Sequence, residues 1–229
     1  MTRAAEEAEE LERMLRERGM EPVRFPCIAF EDGPDLERIR QAIAEEPDFI
    51  VVSSPHAARR LGDLMGRTSA RTRFAAVGEA TARSLPGSPI VPTKGVGAEA
   101  LLEVLAPLVR GKRVLFPRAE RSTPGLAEGL GKAGALVESR ILYKTITPRT
   151  ADLSLLRSVA AITFASGSAV RGFVDLAGAD VANRQIVACI GANTAEEAGK
   201  AGIRVDVYGS AGLSELCDAL ALAVSARKG

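Results

Sequence analysis

Ile162-Thr-Phe-Ala-Ser-Gly-Ser-Ala-Val-Arg171 and Val187-Ala-Cys-Ile-Gly-Ala-Asn-Thr-Ala195 decide the fold of this 229-residue chain. Each is a short apolar run that ends in small and hydroxyl residues and then enters a helix-forming stretch, the pattern of a buried parallel strand leading into a helix. Working outward, Phe49–Ser53, Phe74–Gly78, Arg113–Pro117, Ala161–Ala165, Ile186–Gly191 and Val205–Tyr208 read as strands. Between them Ala4–Arg18, Asp35–Glu45, Ala98–Leu108, Ala169–Leu176 and Ser214–Ala226 space their apolar residues by three and four, as amphipathic helices do. Strand and helix alternate, so the class is α/β with parallel sheets.

The chain also repeats itself. Arg3, Gly19, Ser54, Gly78, Thr81, Gly97 and Leu101 recur in similar settings as Arg118, Gly134, Ser166, Gly191, Thr194, Gly212 and Leu216, at offsets of 112 to 115 residues. Self-similarity at so long a period predicts two matched globular bodies rather than a solenoid, with a cleft between them as the place to look for function. Gly19 and Gly134 each follow an amphipathic segment, where a left-handed helix cap is expected. The copies differ at their starts. Arg118 follows the strand Lys112–Pro117, whereas Arg3 has only Met1 and Thr2 before it. The first copy is therefore expected to lack its first strand, leaving its neighbours with unpaired backbone groups and one helix poorly seated. That reading points to a late start of the chain or to a compromised domain. Val23–Phe30 and Glu138–Ile146 are similar extended segments, and pattern alone leaves two readings open: a paired linker between the bodies, or the second strand of each.

Composition narrows the function classes. Thirty Lys and Arg against 29 Asp and Glu give a net charge of +1, so there is no global field to attract nucleic acid or an anionic membrane, and neither is expected as a partner. Cys27, Cys189 and Cys217 are odd in number, lack metal-site spacing and sit in apolar runs, which reads as buried free thiols in a reducing cytoplasm. The N-terminus is a charged helix from Ala4 without a leader's apolar core, and no apolar run is long enough to span a bilayer.

Four turns join a strand end to a helix start: Ser53–Ala57, Val77–Ala82, Ala165–Ala169 and Ile190–Ala195. Each offers free backbone N–H groups, a helix dipole and hydroxyl donors at the carboxyl edge of a sheet, an arrangement suited to a polyanionic ligand. A single such turn is ordinarily just a capped helix; four in matched pairs carry more weight. His56 is the only histidine, and its place after Pro55 predicts an exposed residue beside a helix cap, so no Ser/His/Asp set can be assembled. Gly95–Ala100 lacks the third glycine of a dinucleotide fingerprint, and no Walker sequence occurs. The acidic run Glu6–Glu12 reads as a solvated face, with Leu11, Met14 and Leu15 on the buried side.

The two stretches quoted at the outset, together with Phe49–Ala57, Ala75–Ala82, Gly111–Arg118 and Ile141-Leu-Tyr-Lys-Thr145, resemble the uroporphyrinogen-III synthase family in order and spacing, from Thr2 almost to the C-terminus. The resemblance implies two flavodoxin-like, doubly wound domains. One combines residues 1–25 with 147–229 and the other holds roughly 30–142, joined by extended linkers at about 25–30 and 141–146 that act as a hinge. It implies a cytoplasmic monomer that converts the linear tetrapyrrole hydroxymethylbilane to uroporphyrinogen III with loss of water and inversion of the last pyrrole ring. No metal or organic cofactor is implied, because the pyrrole is electron-rich enough to expel its hydroxyl and form an azafulvenium cation. Positioning of the chain and stabilisation of the cation and spiro intermediate are then the protein's tasks.

Under this resemblance Tyr143 matches a tyrosine that hydrogen-bonds or protonates the leaving hydroxyl. The residues alone make it a half-buried strand aromatic with its hydroxyl at the domain edge. Ser54, Thr81, Ser166, Ser168 and Thr194 fall on cleft-lining hydroxyl positions that bind substrate carboxylates, together with the N–H of Gly167. Arg3 and Arg118 are further candidates for acidic groups, although an arginine at a helix start is often only solvated. Ala192 and Asn193 stand where the family often has Pro and Thr, and Ser53 replaces a common Thr; hydroxyl or amide donors survive. The rival reading is a non-catalytic member that binds a tetrapyrrole or another polyacid. A response-regulator-like module is disfavoured because its acidic cluster and partner lysine cannot be placed at the strand ends.

Overall fold

The computed structural model describes residues 1–65, 71–95, 97–122, 125–209 and 212–228; Val96, within the Gly95–Ala100 stretch, lies outside them. The chain divides into two compact units, Met1–Phe30 with Thr145–Gly229, and Glu31–Lys144.

In the first unit a 3-10 turn at Ala5–Glu7 leads into α1 (Glu9–Arg16). The chain then passes through β1 (Ala29–Asp32), α2 (Leu36–Ala44), β2 (Phe49–Val52), α3 (Pro55–Leu64), β3 (Arg73–Ala76), α4 (Glu79–Ala82), α5 (Ala98–Leu105), β4 (Arg113–Ala119), α6 (Gly125–Lys132) and β5 (Leu136–Ile146). It completes the first unit with a 3-10 turn at Leu153–Arg157, then β6 (Ala161–Phe164), α7 (Gly167–Ala177), α8 (Ala179–Ala182), β7 (Ile186–Ile190), α9 (Gly191–Lys200), β8 (Val207–Gly209) and α10 (Leu213–Lys228). The strands form a five-stranded sheet in the order β1-β5-β4-β2-β3 and a three-stranded sheet in the order β6-β7-β8. The β2–β3, β2–β4, β4–β5, β6–β7 and β7–β8 ladders are all parallel.

Continuous apolar strands are buried on both faces, as parallel sheets require. Along β7, Val187 and Cys189 pack with Phe164, Phe173 and Phe25, while Ile186 and Ala188, pointing the other way, pack with Leu11, Leu15, Leu216 and Leu220 from α1 and α10. In the second unit Phe49, Val51, Ala75, Val114 and Phe116 pack against Leu101, Leu105, Leu126 and Leu130 of α5 and α6. The two glycine caps have the same geometry in both copies. Gly19 and Gly134 sit at φ 72° and 90°. Their N–H groups donate to Arg16 O and Gly131 O, and those of the next residues, Met20 and Ala135, donate to Leu15 O and Leu130 O, which is the Schellman closure.

The start of the chain corrects one expectation. α1 is well seated, with Leu11 and Leu15 buried and Arg18 bonded to Asp218 at 2.7 Å. Met1 and Thr2 also supply pairing: Phe25 N–H donates to Met1 O (2.9 Å), Cys27 N–H to Thr2 O (3.1 Å), and the Thr2 hydroxyl to Thr163 O (2.7 Å). Thr2 therefore bridges the Val23–Cys27 segment to β6, with Met1 paired to that segment beside it. Of the extended segments, Glu138–Ile146 lies within β5, which pairs with β4 from Leu136 to Tyr143 in the second unit and runs on through Thr145 and Ile146 into the first, so both the strand and the linker reading remain open.

Candidate active site

β2 ends where Ser54 adopts an extended backbone (φ −156°, ψ 153°), and its Oγ accepts from Ala57 N–H at 3.1 Å with Pro55 in the first helical position. Ser166 does the same at the start of α7 (φ −163°, ψ 157°), its Oγ accepting from Ala169 N–H at 3.2 Å. The matched serines are thus matched caps, each satisfying a donor that the first turn would otherwise leave open.

Tyr143 stands beside the first of these caps. A register shift at Arg118/Ala119 puts Ala119 opposite Tyr143, and Glu120 N–H donates to Tyr143 O at 2.9 Å, so the backbone of β5 is pinned here. The phenol oxygen lies 3.2 Å from Ser54 Oγ. The His56 ring meets the Tyr143 ring edge-on, with centroids 4.5 Å apart and planes at 67°. Tyr143 is only 6% exposed. His56 is half-buried and its Nε2 is shielded from solvent, which corrects the expectation of an exposed histidine. The cap holds its neighbours in place because Pro55 fixes φ at the helix start.

The other expected residues divide into groups. Thr81 and Thr194 are buried at 2% and 6% exposure, in the first turns of α4 and α9. Gly167 and Ser168 open α7 beside α9: a Cβ on Gly167 would stand 3.1 Å from Glu197 Cγ. Arg171 spans the two, donating to Glu197 Oε1 at 2.5 Å and to Ser168 Oγ at 3.3 Å. Arg3 pairs with Glu7 at 3.4 Å. Arg118 donates across to Ser139 Oγ of β5 (2.9 Å) and, in its own turn, to Ala119 O (2.9 Å), Glu120 O (3.0 Å) and Ser122 Oγ (3.4 Å).

Sequence reasoning passed over Arg171 and Glu197, although a signal was present: Arg171 recurs as Arg59 at the offset that relates Ser166 to Ser54. Among the described residues no group of three or more His, Cys, Asp or Glu side chains is arranged to hold a metal ion, and no helix is long and apolar enough to cross a membrane. The three thiols are buried, and burial pushes Cys27 up to about 12 and Cys189 up to about 11.

The family model for Uroporphyrinogen-III synthase HemD matches residues 9–211. The chain belongs to the uroporphyrinogen-III synthase family. It is 27% identical over 209 residues to "Uroporphyrinogen-III synthase, chloroplastic" of Oryza sativa subsp. japonica, covering 85% of this chain and 69% of the relative. It is 26% identical over 238 residues to "Porphyrin biosynthesis protein HemD" of Ruminiclostridium josui, covering 96% of this chain; the chain spans about half the length of that relative (47%). Uroporphyrinogen III synthase from the extremely thermophilic bacterium Thermus thermophilus, as a mutant crystal structure, superposes with a TM-score of 0.63 at 20% identity, covering 99% of this chain and 100% of that one. The enzyme from Helicobacter pylori 26695 does so with a TM-score of 0.63 at 18% identity, over 90% and 93%. At these identities the likeness of a uroporphyrinogen-III synthase structure speaks to the shared mixed α/β fold.

Proposed function

We propose that this chain cyclises hydroxymethylbilane to uroporphyrinogen III, with Tyr143 assisting the loss of the hydroxyl group and the paired turns holding substrate carboxylates. Membership of a lyase family of porphyrin biosynthesis supplies the reaction. The observation that carries the assignment of Tyr143 is its hydroxyl 3.2 Å from Ser54 Oγ, at the N-terminal end of a capped helix. In the step assigned to it, the pyrrole nitrogen lone pair drives the C–O bond of the hydroxymethyl group to break. Tyr143 either transfers its proton to the departing oxygen, so that water leaves, or hydrogen-bonds the departing hydroxide, which becomes water with the proton lost from the ring system at the end of the reaction; in both cases an azafulvenium cation remains. When Tyr143 gives up its proton, the one lost from the ring system at the end of the reaction restores it.

Ser54 and Thr81 in one unit, and Ser166, Gly167, Ser168 and Thr194 in the other, are assigned to substrate carboxylates through hydroxyl and backbone N–H donors. Arg3 is assigned the same task by release from Glu7. Arg118, at the end of β4, is assigned the same task by release from Ser139, Ala119, Glu120 and Ser122. The reading extends to two flavodoxin-like units joined by an extended two-stranded linker, acting as a cytoplasmic monomer without metal or organic cofactor.

Freshly generated hydroxymethylbilane tests it, with the products oxidised and the uroporphyrin isomers resolved by chromatography. Predominantly type III isomer is expected. Type I alone, from a folded sample, would make this chain a tetrapyrrole or polyacid binder.

A further inference from the structure

We propose that His56 is a positioning residue for Tyr143. The hydrogen bond with Ser54 fixes one point of the phenol, its oxygen, and does not by itself set the plane of the ring about that point. The edge contact with the His56 imidazole, at 4.5 Å and 67°, supplies the second constraint and sets that plane. Both constraints come from one short stretch, Ser54-Pro55-His56. Pro55 locks the backbone between them, and the cap bond from Ala57 N–H holds the stretch against α3. The phenol of a strand residue is thereby carried by the first turn of a helix, and its donor direction is inherited from the geometry of that turn. Preorganisation of this kind matters most where a donor must meet charge as it develops on a departing oxygen.

The inference rests on the proposed role of Tyr143 for its kinetic consequence, but not for its structural one, and the experiment separates the two. The chain has no tryptophan and two tyrosines, of which Tyr208 on β8 is 57% exposed. In a Tyr208→Phe background of the full chain, Tyr143 alone supplies the tyrosine near-ultraviolet circular dichroism, which reports how rigidly its ring is held. His56→Ala is expected to lose most of that signal while far-ultraviolet dichroism is retained. It should also lower kcat for type III product about three- to tenfold, the range an aromatic pair is worth, with KM within about twofold. His56→Phe keeps an edge contact and is expected to preserve both the signal and most of kcat. Two results overturn the inference: His56→Ala retaining both signal and rate, or His56→Phe losing as much as His56→Ala. Should Tyr143→Phe leave kcat unchanged while the dichroism behaves as described, the catalytic reading of Tyr143 falls and the positioning contact stands.

Discussion

Tyr143 is the residue proposed to assist loss of the hydroxyl group, and its contacts with Ser54 and His56 say how its removal should behave. Tyr143→Phe deletes the donor, keeps the ring against His56 and leaves Ser54 Oγ its bond from Ala57 N–H, so the fold should be unaffected. A drop in kcat of about tenfold is expected if the phenol only hydrogen-bonds, and on the order of a hundredfold or more if it transfers a proton, with KM little changed. A rate within twofold of the parent, in the isomer-resolved assay, would remove Tyr143 from the mechanism. The thiols make a second prediction. Burial disfavours the thiolate at Cys27, Cys189 and Cys217, and the thiolate is the reactive form. A chromogenic disulfide reagent at about pH 8 should therefore titrate little in the native protein and all three groups in denaturant; rapid native reaction would refute their burial. At this scale the serine caps were legible in the sequence, because a cap is a local event within four residues. The Ser54–Tyr143 contact was not, since it joins residues 89 apart and follows a bulge at Leu142 of β5 that no local pattern announces. His56 was misplaced for the same reason: sequence shows the helix start beneath it and hides the strand beside it.

At the scale of elements, alternation of buried strands and amphipathic helices was readable because burial on both faces demands uninterrupted apolar runs such as Phe49–Val52 and Ile186–Ile190. Their ends were less so. The expected helix Ala4–Arg18 breaks at Ala8 into a 3-10 turn and α1, and the helix expected over Ala98–Leu108 stops at Leu105. The pairing contributed by Met1 and Thr2 could not be read, because two residues carry no periodicity. That same region sets a close approach between elements. α7 passes the segment Phe25–Ile28 so tightly that a Cβ on Gly172 would stand 2.0 Å from the Cys27 carbonyl oxygen, which is backbone and cannot swing aside. Phe173, next along α7, packs edge-on against Phe25 at 5.8 Å and Phe164 at 5.4 Å. Gly172→Ala must push α7 off its seat, and a loss of about 1–3 kcal/mol is expected. Urea unfolding should show it as a lowered midpoint at unchanged m-value. Gly131→Ala, where a Cβ has open space on a helix, is the control and should be neutral or slightly stabilising.

At the scale of the whole molecule, the partly buried ammonium of Met1 bears on how stability depends on pH. The ammonium of Met1 donates to Val23 O at 2.8 Å, in a partly buried position. Burial lowers its pKa from 8.0 to about 6, against smaller opposing contributions from Cys27 and Glu12. The unfolded chain keeps an amine near its ordinary value, so between pH 6 and 8 the unfolded state binds more protons than the native state. Stability from this group is therefore fully present above pH 8, declines as pH falls through that window, and levels off below pH 6. Two pKa units correspond to about 2–3 kcal/mol as an upper figure. The carboxylates with lowered pKa values, Glu12 beside Arg24, Asp48 beside Arg113, Asp152 beside Ser154, Glu196 beside Lys200 and Asp218 beside Arg18, titrate below that window and do not contribute to the slope within it. For a chain whose first residue is Met1, urea midpoints measured from pH 5.5 to 8.5 should rise with pH. Acetylation of the amine removes the charge while keeping an N–H for Val23 O, and the slope across pH 6–8 should flatten. A slope indifferent to acetylation would place its origin elsewhere and show that the ammonium is solvated in the native state.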